Sequence, residues 1–95
     1  MTVAEFHQTL KDPAPSKVFS LLLKALWHDA QGNWDIAHQL IQNIQDKDAA
    51  WIHAYLHRKE GDELNARYWY RRAGREIPDS SLNTEWDAMV QHFLS

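Results

Sequence analysis

The sequence predicts an all-α fold of about six helices. No stretch alternates polar and apolar residues for long enough to form a strand, and apolar residues recur at helical spacing instead. One apolar stripe, for example, runs through Ile36, Leu40 and Ile44. Glycine, proline and capping residues divide the 95-residue chain into helix-sized segments, and this length is typical of one domain.

The boundary residues predict where each helix begins and ends. Pro13 and Pro15 separate an N-terminal helix from the rest, and Ser16 is the predicted cap of the second helix. Gly32 and Gly61 are expected to follow helix ends, because glycine readily takes the left-handed conformation of a C-terminal cap. The other predicted N-terminal caps are Asn33, Asp46 or Asp48, Asp62 and the segment Asp79–Ser81. The predicted helices span residues 3–11, 17–31, 34–45, 49–60, 63–75 and 82–94.

The composition disfavours several classes of function. The absence of cysteine removes disulfides, thiolate metal sites and a cysteine nucleophile. The few serines lie mostly at helix starts, and three glycines cannot build a phosphate-binding loop, so we predict no catalytic residue and no cofactor. The start of the chain lacks the features of a signal peptide, and the longest apolar stretch, near 18–27, is interrupted by Ser20 and Lys24. We therefore expect a cytoplasmic protein with no membrane span.

Charge and tryptophan content are both unusual. The net charge of −3 conceals a segment from Arg58 to Arg75 that contains all five arginines and carries +3, while the remainder carries −6. This asymmetry indicates either the solvated faces of surface helices or a surface that attracts an anionic partner. Five tryptophans are enough to dominate a small core or to form a binding surface.

An internal repeat organises the middle of the chain. Gly32 and Gly61 lie 29 residues apart, and the same offset relates Ala25 to Ala54, His28 to His57 and Ala37 to Ala66. Repeats at such a period indicate stacked supersecondary units. The repeat therefore predicts two helix hairpins, at 17–45 and 49–75, in a single domain flanked by helices at 3–11 and 82–94.

The repeat resembles known helical-repeat families. Residues 31–37, Gln-Gly-Asn-Trp-Asp-Ile-Ala, resemble the turn of a tetratricopeptide repeat, and residues 66–73 are similar to the second helix of a Sel1-like repeat. The resemblance covers 18–74 and implies a right-handed stack of the two hairpins, with the terminal helices covering its ends. The period is shorter than the roughly 34 residues of a tetratricopeptide repeat, and no proline ends the first unit. Residues 51–75 also resemble a group of short, uncharacterised bacterial proteins, which implies no activity.

Histidines are the first candidate site. His53 and His57 stand one turn apart on one helix, and His28 occupies the matching position of the first repeat. Three imidazoles could bind a metal such as Zn²⁺, but no carboxylate completes a recognisable ligand pattern. Packing between helices and a polar ligand site are the alternatives, and we predict no metal.

Arginines and aromatic residues supply the other candidates. Arg67, Arg71 and Arg75 fall at helical spacing, which predicts either a solvated stripe or contact with an anion or an acidic partner. Nucleic acid is disfavoured because the overall charge is negative. In the families that the chain resembles, the first helix of each hairpin lines a groove. The resemblance therefore places Trp51, Tyr55 and Arg58 in the groove, unless they pack against the first hairpin.

The leading hypothesis is a non-enzymatic binding module that recognises a peptide, a partner protein or a second copy of itself through the second hairpin. The alternative is a small-ligand or enzymatic pocket built on His28, His53, His57 and Tyr55, and a small anionic ligand is a further candidate. The predicted ligand- or partner-binding residues are Trp51, His53, Tyr55, His57, Arg58, His28, Trp69, Arg71 and Arg72.

Overall fold

A computed structural model describes all residues from 1 to 95 and contains six α-helices and no β-strand. The predicted all-α class and the number of helices are therefore confirmed. The helices are α1 (Val3–Gln8), α2 (Leu21–Ala30), α3 (Trp34–Ile41), α4 (Lys47–Glu60), α5 (Glu63–Ala73) and α6 (Leu82–Leu94). A single 3₁₀ turn, Thr9–Lys11, extends α1 to the predicted end of the N-terminal helix.

The start of α2 was predicted wrongly. The helix begins at Leu21, and its cap is Ser20, whose hydroxyl accepts a hydrogen bond from the backbone N–H of Leu23 at 3.2 Å. The predicted cap, Ser16, instead opens a turn that the Phe19 N–H closes by donating to the Ser16 carbonyl. This turn carries Phe19 into the core, where its ring lies 5.1 Å from that of Phe6. Tertiary packing thus selects between two equally good caps.

Three other boundaries differ from the prediction by two residues or more. α3 ends at Ile41 rather than residue 45, because the chain turns at once and Ile44 donates its N–H to the Ile41 carbonyl. α4 begins two residues early, at Lys47, because the carboxylate of Asp46 caps it. α5 ends at Ala73 rather than residue 75, because Gly74 takes a left-handed conformation with φ of 70°.

Helix α4 forms the centre of the molecule. Consecutive helices pack as two pairs, α2 with α3 and α4 with α5, and α3 also packs on α4. The last helix, α6, lies against α1, α2 and α4. Nine consecutive residues of α4, from Ala49 to His57, are buried. Two sides of this helix can therefore each position polar side chains inside the protein.

Alanines occupy the repeated positions at which the helices approach each other. Ala25, Ala37, Ala54 and Ala66 are all at most 4% exposed. The radius of gyration, 12.4 Å, is about what a compact domain of this length has.

Four of the five tryptophans bridge distant parts of the chain through the indole N–H. Three of these groups donate to backbone carbonyls, and a fourth donates to a buried carboxylate. The bonds run from Trp27 to Thr9, from Trp34 to Leu56, from Trp86 to Leu26 and from Trp51 to Glu85. The tryptophans are thus part of the internal framework.

The longest helix, α4, has 14 residues, and no helix has both the length and the apolar character needed to cross a membrane.

Candidate functional site

The predicted groove residues of α4 contact other parts of the same chain. Tyr55 donates its hydroxyl to Asp29 of α2 at 3.0 Å, and Trp51 donates its indole N–H to Glu85 of α6 at 3.1 Å. Arg58 donates to the other oxygen of Glu85 at 2.7 Å and to the carbonyl of Ser80. We call this side of the helix, formed by Trp51, Tyr55 and Arg58, the α6 side. Its side chains hold the chain's own helices in place.

Two buried carboxylates complete the α6 side. Glu85 is 3% exposed and accepts a third hydrogen bond, at 2.6 Å, from the hydroxyl of Tyr70. Asp29 is 2% exposed and is paired with the ammonium group of Lys59 at 2.9 Å. Burial raises the pKa of both Tyr55 and Tyr70 well above the usual value, so both phenols stay protonated as donors. Every carboxylate on this side therefore has a cation and at least one further donor.

Sequence reasoning did not identify Glu85 or Asp29. An acidic residue in the first turn of a helix is normally explained by the helix dipole, which gave no reason to bury Glu85. The one feature of the sequence that indicated burial of Glu85 is its position one turn before Met89, on the face of α6 that packs on the core.

The opposite side of α4 contains a cluster of three histidines. The Nε2 atoms of His38, on α3, and His53 lie 3.0 Å apart. The rings of His53 and His57 stack at a centroid distance of 5.0 Å, and one nitrogen from each of the three rings lies within 4.8 Å of the others. We call His38, His53 and His57 the histidine cluster, and the part of α4 that carries it the histidine side.

Two tryptophans enclose the histidine cluster. Trp34 stacks on His38 with a centroid distance of 4.9 Å and an interplanar angle of 9°. Trp69, from α5, stacks on His53 at 3.8 Å and 14°. His53 is 6% exposed and His57 is 9% exposed, whereas His38 is only half-buried. The cluster therefore has rigid aromatic walls and opens to solvent beside His38.

Burial and neighbouring imidazoles disfavour the protonation of His53 and His38. Burial, together with the neighbouring rings of His38 and His57, lowers the pKa of His53 to about 4. Burial and His57 also lower the pKa of His38. The Nδ1 of His57 lies 2.6 Å from a carboxylate oxygen of Glu60, which can only accept a hydrogen bond when ionised. In the neutral form of His57, Nδ1 is therefore the N–H donor and the free lone pair is on Nε2.

The structure groups the histidines differently from the prediction. His53 and His57 come together as expected, but the third member is His38 rather than His28. The ring of His28 packs edge-on against Trp27, and its Nδ1 is buried without a hydrogen-bond partner. His38 was missed because its counterpart in the second repeat is Arg67, so the repeat gave no signal for it. Its one-turn spacing from Trp34 was the available signal.

The outer surface of α5 carries the remaining predicted residues. Arg67, Arg71 and Arg72 are exposed and pair with no carboxylate, and Leu64 and Tyr68 lie exposed beside them. The guanidinium of Arg72 lies over the ring of Trp69 at 5.2 Å and donates to the hydroxyl of Tyr68 at 3.0 Å. We call these residues, Leu64, Arg67, Tyr68, Arg71 and Arg72, the arginine face.

Arg75 departs from the predicted arginine stripe. Because α5 ends at Ala73, Arg75 leaves the helical spacing and places its guanidinium 3.4 Å from the ring centroid of Trp51. It thereby covers the outer surface of that tryptophan.

Comparisons with known proteins supply no relative from which a function could be transferred. No family model, curated protein or solved structure matches the chain. The function must therefore be inferred from the geometry of the histidine cluster and the arginine face.

Proposed function

We propose that the chain is a non-enzymatic binding module that recognises an acidic segment of a partner protein through the arginine face of the second hairpin. The observation that carries this proposal is the group of three exposed arginines, Arg67, Arg71 and Arg72, which have no carboxylate partner within the chain. Guanidinium groups bind carboxylates through paired, charge-assisted hydrogen bonds.

The distribution of charge supports an acidic partner. Within the positive segment, Arg58 and Lys59 are already paired with the buried carboxylates Glu85 and Asp29. The three arginines of α5, together with the exposed Arg75, therefore supply the part of that positive charge which faces solvent. In a protein of net charge −3, such a local positive surface selects where an anionic segment approaches.

Apolar groups beside the arginines support a peptide rather than a free anion. Leu64 is 80% exposed, and Tyr68 and Ile77 are each 48% exposed. Ile77 lines a groove of about 240 Å³ together with Arg58, Glu63, Ala66 and Arg67. Arginine and tyrosine are enriched among residues that dominate binding energy, and an apolar side chain of the partner fits the groove.

The alternative of an enzymatic or small-ligand pocket has less support. It requires Tyr55 to meet His53 and His57, but Tyr55 binds Asp29 on the α6 side of the helix. His28 packs against Trp27 instead of joining the other histidines. The partner is accordingly assigned to α5 and not to the groove residues Trp51 and Tyr55, which contact the chain's own helices.

We further propose that the two hairpins stack as consecutive repeats of the tetratricopeptide or Sel1-like kind. The buried alanines at equivalent positions support this, because small residues allow the paired helices to approach closely. Gly32 and Gly61, which follow the first helix of each pair, have nearly the same φ, 85° and 87°.

Selection from a displayed random-peptide library tests the proposed function. We expect the wild type to enrich peptides that combine acidic residues with an apolar anchor, and their affinity to fall as salt is raised. Arg67→Glu with Arg71→Glu is expected to abolish binding. The matched control, Lys11→Glu with Lys17→Glu, makes the same charge change away from α5 and is expected to preserve most of the affinity.

Two results would count against the proposal. One is the enrichment of peptides without acidic residues. The other is equal loss of binding in the α5 variant and the lysine control, which would indicate a response to net charge alone. Sedimentation of the same variants tests whether the acidic segment belongs to a second copy of the chain.

A further inference from the structure

We infer that His38, His53 and His57 bind a divalent late transition metal ion of the Zn²⁺ class. This inference concerns the histidine cluster between α3 and α4 and does not depend on the proposed function. It also departs from the absence of a metal predicted from the sequence, which grouped His28 with the other two histidines.

The separations between the nitrogen atoms suit a tetrahedral ion. With Zn–N bonds of about 2.05 Å, two ligands of a tetrahedral site lie about 3.3 Å apart. The Nε2 atoms of His38 and His53 are 3.0 Å apart, and all three imidazoles place a nitrogen within 4.8 Å of the others. The rings of His53 and His57 stack at an interplanar angle of 24°, so one ring turns for both to coordinate the same ion, and the ion replaces the proton shared by His38 and His53.

The helices fix two of the ligands in relation to each other. His53 and His57 are one turn apart on α4, so their side chains project from the same face of a single rigid element. His38 approaches from α3, which packs directly on α4. A site built on helices holds its ligands more precisely than one built on loops.

Neighbouring side chains orient the rings of the histidine cluster. Glu60 accepts from Nδ1 of His57 at 2.6 Å, an arrangement that fixes the tautomer of a metal-binding histidine and leaves Nε2 as its ligand atom. Stacking on Trp34 and Trp69 fixes the planes of His38 and His53. These contacts preorganise the cluster without adding a fourth ligand.

The ligand set also restricts the class of ion. Imidazole nitrogen suits zinc, copper, cobalt and nickel, whereas calcium and magnesium prefer oxygen ligands. Three protein ligands leave a fourth coordination position, which faces the half-buried edge of the cluster beside His38. A water molecule or a carboxylate from outside the chain can complete the coordination there.

Titration of metal-free protein with Zn²⁺, in competition with a chromophoric chelator, tests the inference. We expect the wild type to bind one equivalent, and His38→Gln to weaken binding by about 100-fold or more through loss of a ligand. His28→Gln is the matched control, since it removes a histidine outside the cluster and is expected to bind like wild type. Circular dichroism checks that each variant is folded, and His38 is preferred to the more buried His53 for that reason.

Two further measurements sharpen the test. Glu60→Gln is expected to weaken Zn²⁺ binding by about 10- to 100-fold, the usual effect of removing a carboxylate that orients a ligand. Cobalt(II) is expected to give the visible absorption of a tetrahedral complex in the wild type and in His28→Gln, but not in His38→Gln.

Three outcomes would overturn the assignment. The first is folded wild-type protein that binds no stoichiometric zinc or cobalt. The second is His38→Gln that binds zinc as tightly as His28→Gln. The third is binding that survives His38→Gln but is lost in Asp62→Asn, which would place the ion among His57, Glu60 and Asp62 instead.

Discussion

The two sides of α4 differ in how their buried polar groups are paired. On the α6 side, Glu85 and Asp29 are surrounded by groups of opposite charge and by hydroxyl or indole donors. On the histidine side, three imidazoles face one another, and the hydrogen-bonded carboxylate, Glu60, contacts only His57. One side is thus complete within the chain, and the other brings three imidazoles together, two of which, His38 and His53, share a single hydrogen bond between their Nε2 atoms.

This difference separates a structural network from a candidate ligand site. Removing one partner from a complete buried ion pair leaves an uncompensated charge, so the loss appears as lost stability. Removing one residue of the histidine cluster leaves no buried charge unpaired. We therefore expect it to lower the affinity for a ligand more than the stability of the fold.

The largest effect is expected on the α6 side. Glu85→Ala removes the shared acceptor of Trp51, Tyr70 and Arg58, and we expect the free energy of unfolding to fall by about 3–5 kcal/mol. Urea unfolding measures the loss. Glu76→Ala, which removes an exposed and unpaired carboxylate, is the control and is expected to change stability by less than about 0.5 kcal/mol. Equal stability of the two variants would show that the network contributes nothing.

A smaller effect is expected where α4 and α5 approach each other. Ala66 is 4% exposed, so Ala66→Leu inserts a side chain into packed space and is expected to destabilise the fold by about 1–3 kcal/mol. Ala30→Leu makes the same change at an exposed position of α2 and serves as the control in thermal unfolding. Equal melting temperatures of the two variants would contradict the close packing of α4 against α5 at Ala66.

Acid is expected to destabilise the histidine side. The unfolded chain protonates imidazoles near pH 6.5, whereas burial and the neighbouring His38 and His57 keep the pKa of folded His53 at about 4. The unfolded state therefore binds more protons between these values, and the free energy of unfolding falls as pH is lowered through this window. At about 1.4 kcal/mol per pKa unit the full shift corresponds to about 3 kcal/mol. Because solvent reaches the cluster beside His38 and screens the charge, we expect a loss of about 2 kcal/mol, measured by urea unfolding with a metal chelator present.

The variant His38→Gln serves as the comparison for this pH dependence. It removes one of the two neighbours that oppose protonation of His53, so the slope of stability against pH should become shallower. A slope as steep as that of wild type would assign the pH dependence to other groups.

The smallest effect is expected on the arginine face. Arg67 and Arg71 are exposed and pair with no carboxylate, so replacing both with alanine is expected to change the free energy of unfolding by less than about 0.5 kcal/mol. Thermal unfolding measures this difference. A larger loss would mean that these arginines stabilise the fold itself, which would remove the reason for proposing a partner there.

The helices were predictable because their ends have local causes. Asp62 and Ser81 cap their helices as expected, and Gly61 ends α4 in the left-handed conformation. The start of α2 was not predictable, because the choice between Ser16 and Ser20 depends on where Phe19 packs. Local chemistry fixes a boundary only where tertiary packing offers no alternative.

The candidate site was predictable only in part. The one-turn spacing of His53 and His57 is a property of a single helix and was visible in the sequence. The third histidine depends on which residue of α3 faces α4, and the repeat pointed to His28 where the structure places His38. Burial of Glu85 depends on donors from two other helices, α4 and α5, which no local pattern reveals.

The indole hydrogen bonds act as non-covalent cross-links in a chain that has no cysteine. They join residues that are 18, 22, 34 and 60 positions apart in sequence. A disulfide resists unfolding because it survives in the unfolded chain, whereas these bonds break as the helices separate. The tryptophans therefore link the helices only in the folded state. The bond with the largest sequence separation, from Trp86 to Leu26, holds α6 against the first helix pair.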